Sequence, residues 1–86
     1  MIYRLELFRK AEKELDRLDR VAEKRLRDRL KELSLNPYDD RLSKPVKMAH
    51  GHRVARVGDW RIIYRVDESA KIIFVMAVEH RSEAYL

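Results

Sequence analysis

Residues 53–64 have the sequence RVARVGDWRIIY, and this stretch decides the fold. Two runs in which apolar and basic residues alternate flank Gly58-Asp59, and a two-residue loop with glycine first is typical of the type II′ turn of a β-hairpin. Such a loop also sets the register, and it places Arg56 directly opposite Arg61. We therefore expect two antiparallel strands whose side chains alternate between two faces.

The two faces of this hairpin differ sharply in character. The first is apolar and should face the core; it holds Ala55, Val57, Trp60, Ile62, Tyr64 and Val66. The second is mainly basic; it holds His52, Arg56, Arg61 and Arg65, with Val54 and Ile63 between them. A strand with one apolar face covers a core with that face and leaves the other exposed.

Placing Arg56 across from Arg61 is unfavourable unless something compensates for it. Cross-strand partners have Cβ atoms about 4.5–5.5 Å apart, and like charges at that distance destabilise the pair. Two guanidinium groups at one spot can grip a phosphate through paired hydrogen bonds, so the pattern indicates an anion site. The same pattern is compatible with a solvated basic face, or with arginines that pair with acids elsewhere in the fold.

The N-terminal half predicts a strand followed by helices. Alternation over residues 3–7 indicates a strand, and apolar residues then recur at steps of three and four from Phe8 to Leu33, as in an amphipathic helix. A single rod over residues 8–35 would be about 42 Å long, too long for a compact chain of this size. We therefore predict a helical hairpin with its bend near Asp19–Val21 and Asp19 as an N-cap. Asn36-Pro37 ends the second helix.

The remaining elements complete an α+β fold in a single domain over residues 1–86. Residues 37–51 are rich in turn-forming residues and are predicted to form a loop. Strands are expected at 53–57, 60–66 and 71–78, the last apolar on both faces and therefore interior. The predicted order is β-α-α-β-β-β, with the helical hairpin packed on a small, mainly antiparallel four-stranded sheet.

The composition favours an anionic partner. Of the 86 residues 45% are hydrophobic and 41% charged, the net charge is +5 and the pI is about 9.7, values that make nucleic acid the first suspect. Basic residues without an intervening acid follow one another between positions 41 and 56, at Arg41, Lys44, Lys47, Arg53 and Arg56. Cysteine is absent, which excludes disulfides, and neither a membrane span nor a signal peptide is recognisable, so a cytoplasmic location is expected.

Two segments resemble the signature of the RelE/ParE toxin superfamily. Residues 53–64 look like its basic strand, Gly-Asp turn and aromatic-Arg-aliphatic-aliphatic-Tyr run, and residues 78–85 (VEHRSEAY) are similar to its closing motif, in which a basic pair precedes a tyrosine. The resemblance implies the fold for nearly the whole chain. Its RelE branch implies a ribosome-dependent ribonuclease that cuts mRNA by attack of a ribose 2′-hydroxyl on the adjacent phosphate.

The resemblance also implies roles for individual residues. Arg61 and Arg56 would stabilise the phosphate in the transition state, Arg81 belongs to the basic pair, Tyr85 would position the 2′-hydroxyl or stack on a base, and His80 suits proton transfer. The residues expected to bind RNA are Lys44, Lys47, Arg53 and Arg65, Lys47 being also a weaker candidate for the base. No cofactor is expected, and no metal, since His50 and His52 have no third ligand nearby in sequence.

One departure from the family pattern concerns the strand before the turn. Relatives often have two basic residues there, spaced by one, but here Val54 occupies the second position. Arg53 lies one residue further back and faces the core side of a regular strand, unless a β-bulge redirects it.

Partners and competing functions follow from the same resemblance. A RelB-like antitoxin is expected to neutralise the protein in a toxin–antitoxin hetero-oligomer, and the ribosome and mRNA are the expected targets; no membrane is involved. The alternatives are a ParE-like gyrase inhibitor without nuclease activity and a non-catalytic RNA-binding module.

Overall fold

The computed structural model describes residues 2–47 and 49–84, and it confirms the α+β class. The elements are β1 (Arg4–Leu7), α1 (Arg9–Asp16), α2 (Arg20–Leu35), β2 (Lys44–Pro45), β3 (His52–Val57), β4 (Trp60–Asp67), β5 (Ile72–His80) and the single turn α3 (Arg81–Ala84). Within the described residues the strands form one five-stranded sheet in the order β1-β5-β4-β3-β2. Strand β1 is parallel to β5, and the other pairs are antiparallel.

The helical hairpin bends where the sequence predicts. Asp19 precedes α2 in an extended conformation, and its side-chain Oδ1 accepts a hydrogen bond of 2.8 Å from the backbone N–H of Ala22. This N-cap satisfies a donor that the first helical turn leaves without a partner, so a new helix begins at Arg20 instead of continuing α1. The apolar stripes of both helices pack on the sheet, and they bury Ala11, Leu15, Leu26, Leu30 and Leu33.

The β3–β4 hairpin has the predicted register. Arg56 pairs with Arg61, and the residues beside them along both strands pair as expected. Gly58 has a φ of +61° and Asp59 has no positive φ, as a type II′ turn requires. Ala55, Ile62 and Tyr64 are completely buried under the helices. The opposite side of the sheet, which we call the open face, displays Arg56 and Arg61.

The prediction of four strands was wrong by one, because the segment 37–51 is not entirely loop. Lys44 and Pro45 form β2 and pair with Val54 and Arg53 of β3. This strand is only two residues long and contains proline, which is tolerated at a sheet edge but weakens any pattern of alternation. Periodicity therefore cannot reveal it.

A buried network fixes the segment before β2 to the sheet. The Tyr64 hydroxyl, on a side chain with no exposed surface, donates to the carbonyl oxygen of Pro37 at 2.6 Å and lies 2.6 Å from the Ser43 hydroxyl. The Arg53 guanidinium donates to the same Ser43 hydroxyl at 2.9 Å and pairs with Asp40 at 3.2 Å. The buried hydroxyls of Tyr64 and Ser43 and the nearly buried Arg53 guanidinium thus each have a partner, as burial requires, whereas Asp40 is exposed.

Strand β5 is interior, between β1 and β4, as its apolar character predicts. It carries a bulge: Ile63 pairs with Ala77, whereas the next residue, Tyr64, pairs with Val75, so Met76 is the extra residue. The bulge changes which residues of β5 face the helices. Beyond it Val78 faces them and is buried, whereas Glu79 lies on the open face.

A second polar cluster holds the far end of the sheet. Glu68, in the turn between β4 and β5, accepts hydrogen bonds from the hydroxyls of Tyr3 and Tyr38 and pairs with Lys71. The Lys71 ammonium and then the two tyrosine hydroxyls lower the pKa of the Glu68 carboxyl to about 2. Burial, followed by the bond to Glu68, raises the pKa of Tyr38 to about 12.

In the described part of the chain, no helix has the length and apolar character that crossing a membrane demands.

Candidate functional site

The hairpin turn and the start of α3 enclose an open pocket of about 280 Å³. Its walls are formed by Arg56, Gly58, Asp59, Trp60, Arg61 and Arg81. The backbone N–H of Arg81 donates to the carbonyl oxygen of Asp59 at 2.7 Å, which holds the start of α3 against the turn. Three guanidinium groups and one carboxylate therefore surround a small space, an arrangement that attracts an anion.

The register explains why the arginines meet. Arg56 and Arg61 are direct cross-strand partners on the open face, and Arg81 comes from the neighbouring strand end. Arg61 also has an acidic neighbour, because Glu79 of β5 lies opposite it on its other side. The alternative was that these arginines pair with acids elsewhere in the fold, and Glu79 is such an acid beside Arg61.

Two arginines of α2 reach the back of the turn, and the sequence reasoning missed them. The guanidinium of Arg25 lies against Gly58, whose Cβ, if it had one, would be 3.2 Å from Nη1 of Arg25. Arg29 donates from its Nη1 to the backbone carbonyl oxygen of Arg56 at 3.0 Å. The four-residue spacing of these arginines places both on one side of the helix, a signal that would have found them once the packing side of α2 was known.

Trp60 has a second role that the alternation did not indicate. Trp60 lies on the core side of the hairpin, directly after the turn. Its half-buried side chain also lines the pocket formed with Arg56, Arg61 and Arg81, which we call the arginine pocket. An aromatic ring beside phosphate-binding cations is a feature of single-stranded nucleic-acid sites, where bases stack on it.

His80 does not join the pocket. Trp60 is its cross-strand partner, and the two rings pack edge to face with centroids 4.9 Å apart. The Nδ1 atom of His80 is 3.0 Å from the Ser82 hydroxyl and accepts a bond of 3.3 Å from the Ser82 backbone N–H. The bulge in β5 puts His80 on the side of the sheet opposite to Arg61, so these two residues are not brought together.

Arg53 also lies apart from the other arginines. It alternates with Arg56 onto the core side, where its side chain is only 11% exposed and is bound by Ser43 and Asp40. No bulge redirects it, since β3 and β4 pair without a shift in register. The structure thus places the Arg53 side chain in the network beneath the sheet, outside the lining of the pocket at the turn.

The other residues predicted to bind RNA do not line this pocket. Lys44 is exposed and, together with Arg56, lines a smaller neighbouring cavity of about 190 Å³. Lys47 is exposed just beyond β2. Arg65 lies on the open face, with its guanidinium carbon 4.7 Å from the centroid of Phe74. Tyr85 lies outside the described residues, and among residues 2–47 and 49–84 no group of three His, Asp or Glu side chains is placed to hold a metal.

Comparison with known proteins agrees with this fold. A family model described as "ParE toxin of type II toxin-antitoxin system, parDE" matches residues 5–85. No curated protein matches the sequence.

Among solved structures, a chain of the RelBE2 toxin–antitoxin complex of Mycobacterium tuberculosis is 26% identical, with a TM-score of 0.80 over 94% of this chain and 100% of that one. A chain of the archaeal RelE–RelB complex of Pyrococcus horikoshii OT3 is 24% identical, with a TM-score of 0.82 over 94% of this chain and 97% of that one.

The YoeB/ParE toxin of Agrobacterium tumefaciens has the same fold at 19% identity, with a TM-score of 0.78 over 90% of this chain and 96% of that one. A likeness at this identity shows the fold alone. The family model matches residues 5–85 by sequence, which confirms the resemblance seen in the hairpin and the closing motif. The chain therefore belongs to the RelE/ParE superfamily and is a toxin of a type II toxin–antitoxin system.

Proposed function

We propose that this toxin is a ribosome-dependent endoribonuclease, which cuts mRNA in the ribosomal A site and so inhibits translation. The observation that carries the proposal is the pocket at the hairpin turn, where Arg56, Arg61 and Arg81 surround one small space. The unfavourable placement of Arg56 opposite Arg61 is then compensated when a phosphate lies between them. A toxin that acts only by binding a protein target has no need of such a phosphate site.

The reaction assigned to this pocket is attack of a ribose 2′-hydroxyl on the adjacent phosphorus. Arg61 and Arg56 stabilise the charge that develops on the phosphate oxygens, and Arg81 contributes from the other side of the pocket. Trp60 offers a surface for stacking a base beside the cleaved bond. Lys44, Lys47 and Arg65 hold the RNA backbone on either side through phosphate contacts.

The assignments of His80 and Tyr85 differ from those of the arginines. His80 packs edge to face against Trp60 and contacts Ser82 instead of the pocket, so we assign it to holding the indole ring and not to proton transfer. Tyr85 keeps the role implied by the family motif, which is to position the 2′-hydroxyl or to stack on a base.

The need for the ribosome follows from the openness of the pocket. A flexible RNA would enter such a pocket in many orientations. A ribosome that holds the mRNA in line for attack would remove this loss of orientation, an effect that can be worth several kcal/mol.

A RelB-like antitoxin is the proposed partner in the cell. The solved complexes of M. tuberculosis and P. horikoshii each contain a RelE-type toxin with an antitoxin. By analogy we propose a toxin–antitoxin hetero-oligomer that prevents cleavage until the antitoxin is removed. Action on ribosomes places the protein in the cytoplasm.

A second candidate is a gyrase inhibitor without nuclease activity. The observation in its favour is that the matching family model is that of ParE toxins. Under this alternative the protein blocks DNA supercoiling by gyrase and leaves mRNA intact. A third candidate, a non-catalytic RNA-binding module, would bind RNA with a steep dependence on salt and cut nothing.

Primer extension on a defined mRNA tests the three candidates together. The folded toxin, free of antitoxin, is incubated with the mRNA alone and with programmed ribosomes whose A site is empty. We expect cuts confined to the A-site codon and dependent on ribosomes. Intact mRNA in both tubes would contradict the proposal, and loss of supercoiling in a parallel gyrase assay would establish the second candidate.

A further inference from the structure

Glu79 is the acidic residue nearest in register to the pair of arginines on the open face. It pairs across the sheet with Arg61, which pairs on its other side with Arg56, so one row crosses three strands. Neighbouring strands lie about 4.8 Å apart, and the whole row therefore spans about 10 Å. A phosphate midway between the two arginines would lie one and a half strand spacings, about 7 Å, from the strand of Glu79, close enough for the sugar attached to that phosphate to reach its side chain.

The bulge in β5 creates this row. Without the extra residue Met76, every residue of β5 beyond it would lie on the other side of the sheet. Glu79 would then face the helices and would not lie beside Arg61 on the open face. Bulges are frequent beside active sites, where they redirect a side chain. Arg81, which follows Glu79 by two residues in the sequence, lines the pocket.

The proposed reaction lacks one component that this row can supply. Attack by a 2′-hydroxyl requires an acceptor for its proton, and the three arginines of the pocket have none. Asp59 is the carboxylate that lines the pocket, but it lies at an exposed turn position. Glu79 is partly buried and lies on a strand that is paired with β4, where a side chain is held in place more firmly than in a turn.

We propose that Glu79 is a catalytic residue, the general base of the cleavage reaction. Its carboxylate takes the proton of the ribose 2′-hydroxyl while the 2′-oxygen forms a bond to phosphorus. The bond from phosphorus to the 5′-oxygen breaks, and the leaving 5′-oxygen takes a proton from water at the open side of the pocket. The products are a 2′,3′-cyclic phosphate and a 5′-hydroxyl, with no change of oxidation state. This inference rests on the proposed ribonuclease function.

The test is the pH dependence of single-turnover cleavage on programmed ribosomes with Glu79→Gln and Glu79→Asp. Loss of a general base lowers such rates by about 10²–10⁴-fold. We expect Glu79→Gln to lower the rate by this factor and to abolish the rise of the rate with pH on the acidic side. Glu79→Asp, which keeps a carboxylate, should recover part of the rate and the acidic limb. Binding of the Gln variant to ribosomes should stay unchanged.

Matched controls separate a base from a merely structural partner of Arg61. Glu6→Gln removes a carboxylate from the β1 end of the same sheet, where Glu6 pairs with Arg4, and should leave rate and pH profile as in the wild type. Thermal unfolding of each variant verifies that it is folded.

Several results would overturn the proposal. The first is a Glu79→Gln rate within about threefold of the wild type, far short of the loss expected for a base. The second is a slower variant whose pH profile is unchanged, which would mean that Glu79 only positions Arg61. The third is loss of the acidic limb in Asp59→Asn instead. Wild-type protein that does not cut at all would refute the proposed function together with this inference, whereas the first three results leave the function standing.

Discussion

Replacing Tyr64 by phenylalanine tests whether the buried network beneath the sheet holds β2 and the segment before it in place. The change removes one hydroxyl from a completely buried side chain. The Pro37 carbonyl oxygen then loses the bond of 2.6 Å and keeps only the Ser43 hydroxyl at 3.5 Å. Ser43 itself still receives the bond from Arg53 at 2.9 Å. One buried acceptor is therefore left with a poor partner.

The cost of such a group is about 1–3 kcal/mol, and we expect about 2 kcal/mol less free energy of unfolding for Tyr64→Phe. For a domain of this size 1 kcal/mol corresponds to roughly 4–8 °C in Tm, so Tm should fall by roughly 8–16 °C. Denaturant unfolding followed by circular dichroism measures the free energy, and calorimetry measures Tm. The slope of unfolding against denaturant should stay the same, since the surface exposed on unfolding hardly changes.

Tyr38→Phe is the matched control. Tyr38 is 44% exposed, and its hydroxyl donates to Glu68, which keeps Tyr3 and Lys71 as partners. Its loss should change stability by no more than about 0.5 kcal/mol. If Tyr64→Phe is no less stable than Tyr38→Phe, the network does not anchor the segment before β2 and the reasoning is refuted.

Three further predictions concern the turn, the acidic cluster and the opposed arginines. Gly58→Ala and Gly51→Ala both force alanine into a positive φ and should each cost about 1–2 kcal/mol in denaturant unfolding, but only the former pushes against the Arg25 guanidinium; wild-type stability of Gly58→Ala would exclude the turn described. The pKa of Glu68 is lowered from 4.5 to about 2 in the folded state, so its contribution to stability is complete above the unfolded value and disappears as pH falls towards 2. The free energy of unfolding should therefore differ less between about pH 6 and about pH 3 in Glu68→Gln than in the wild type. Equal differences in the two proteins would count against a stabilising role of Glu68. Arg56→Glu replaces like by opposite charges across the hairpin and should raise the free energy of unfolding by about 0.2–1 kcal/mol while cleavage is lost; retained cleavage would disprove the phosphate site.

The sequence was sufficient to predict the fold where local chemistry and periodicity agree. The Gly58 turn set the register of the hairpin, and Asp19 marked the start of α2 through its N-cap. Both signals depend on only a few neighbouring residues, so the packing of the rest of the chain does not alter them. Strand β2 has no such signal, because two residues with a proline show no alternation.

The composition of the site depended on information that no local pattern contains. The pairing of Arg56 and Arg61 follows from the hairpin alone, but the position of Glu79 depends on a bulge in a different strand. The same bulge turns His80 away from Arg61, which motif similarity did not indicate. Arg25 was missed since its contact with the turn depends on how α2 packs across the sheet.

The most direct test of the central claim is the single-turnover rate of A-site cleavage by Arg61→Ala on programmed ribosomes. Arg61 lies between Arg56 and Glu79 in the row across the sheet, and loss of one group that stabilises developing charge costs about 10²–10³-fold in rate. We expect a loss of that size, with ribosome binding retained, while Arg4→Ala, which removes an arginine from the far edge of the same sheet, cuts at the wild-type rate. Equal rates for wild type and Arg61→Ala would contradict the account, because cleavage would then not occur at the arginine pocket.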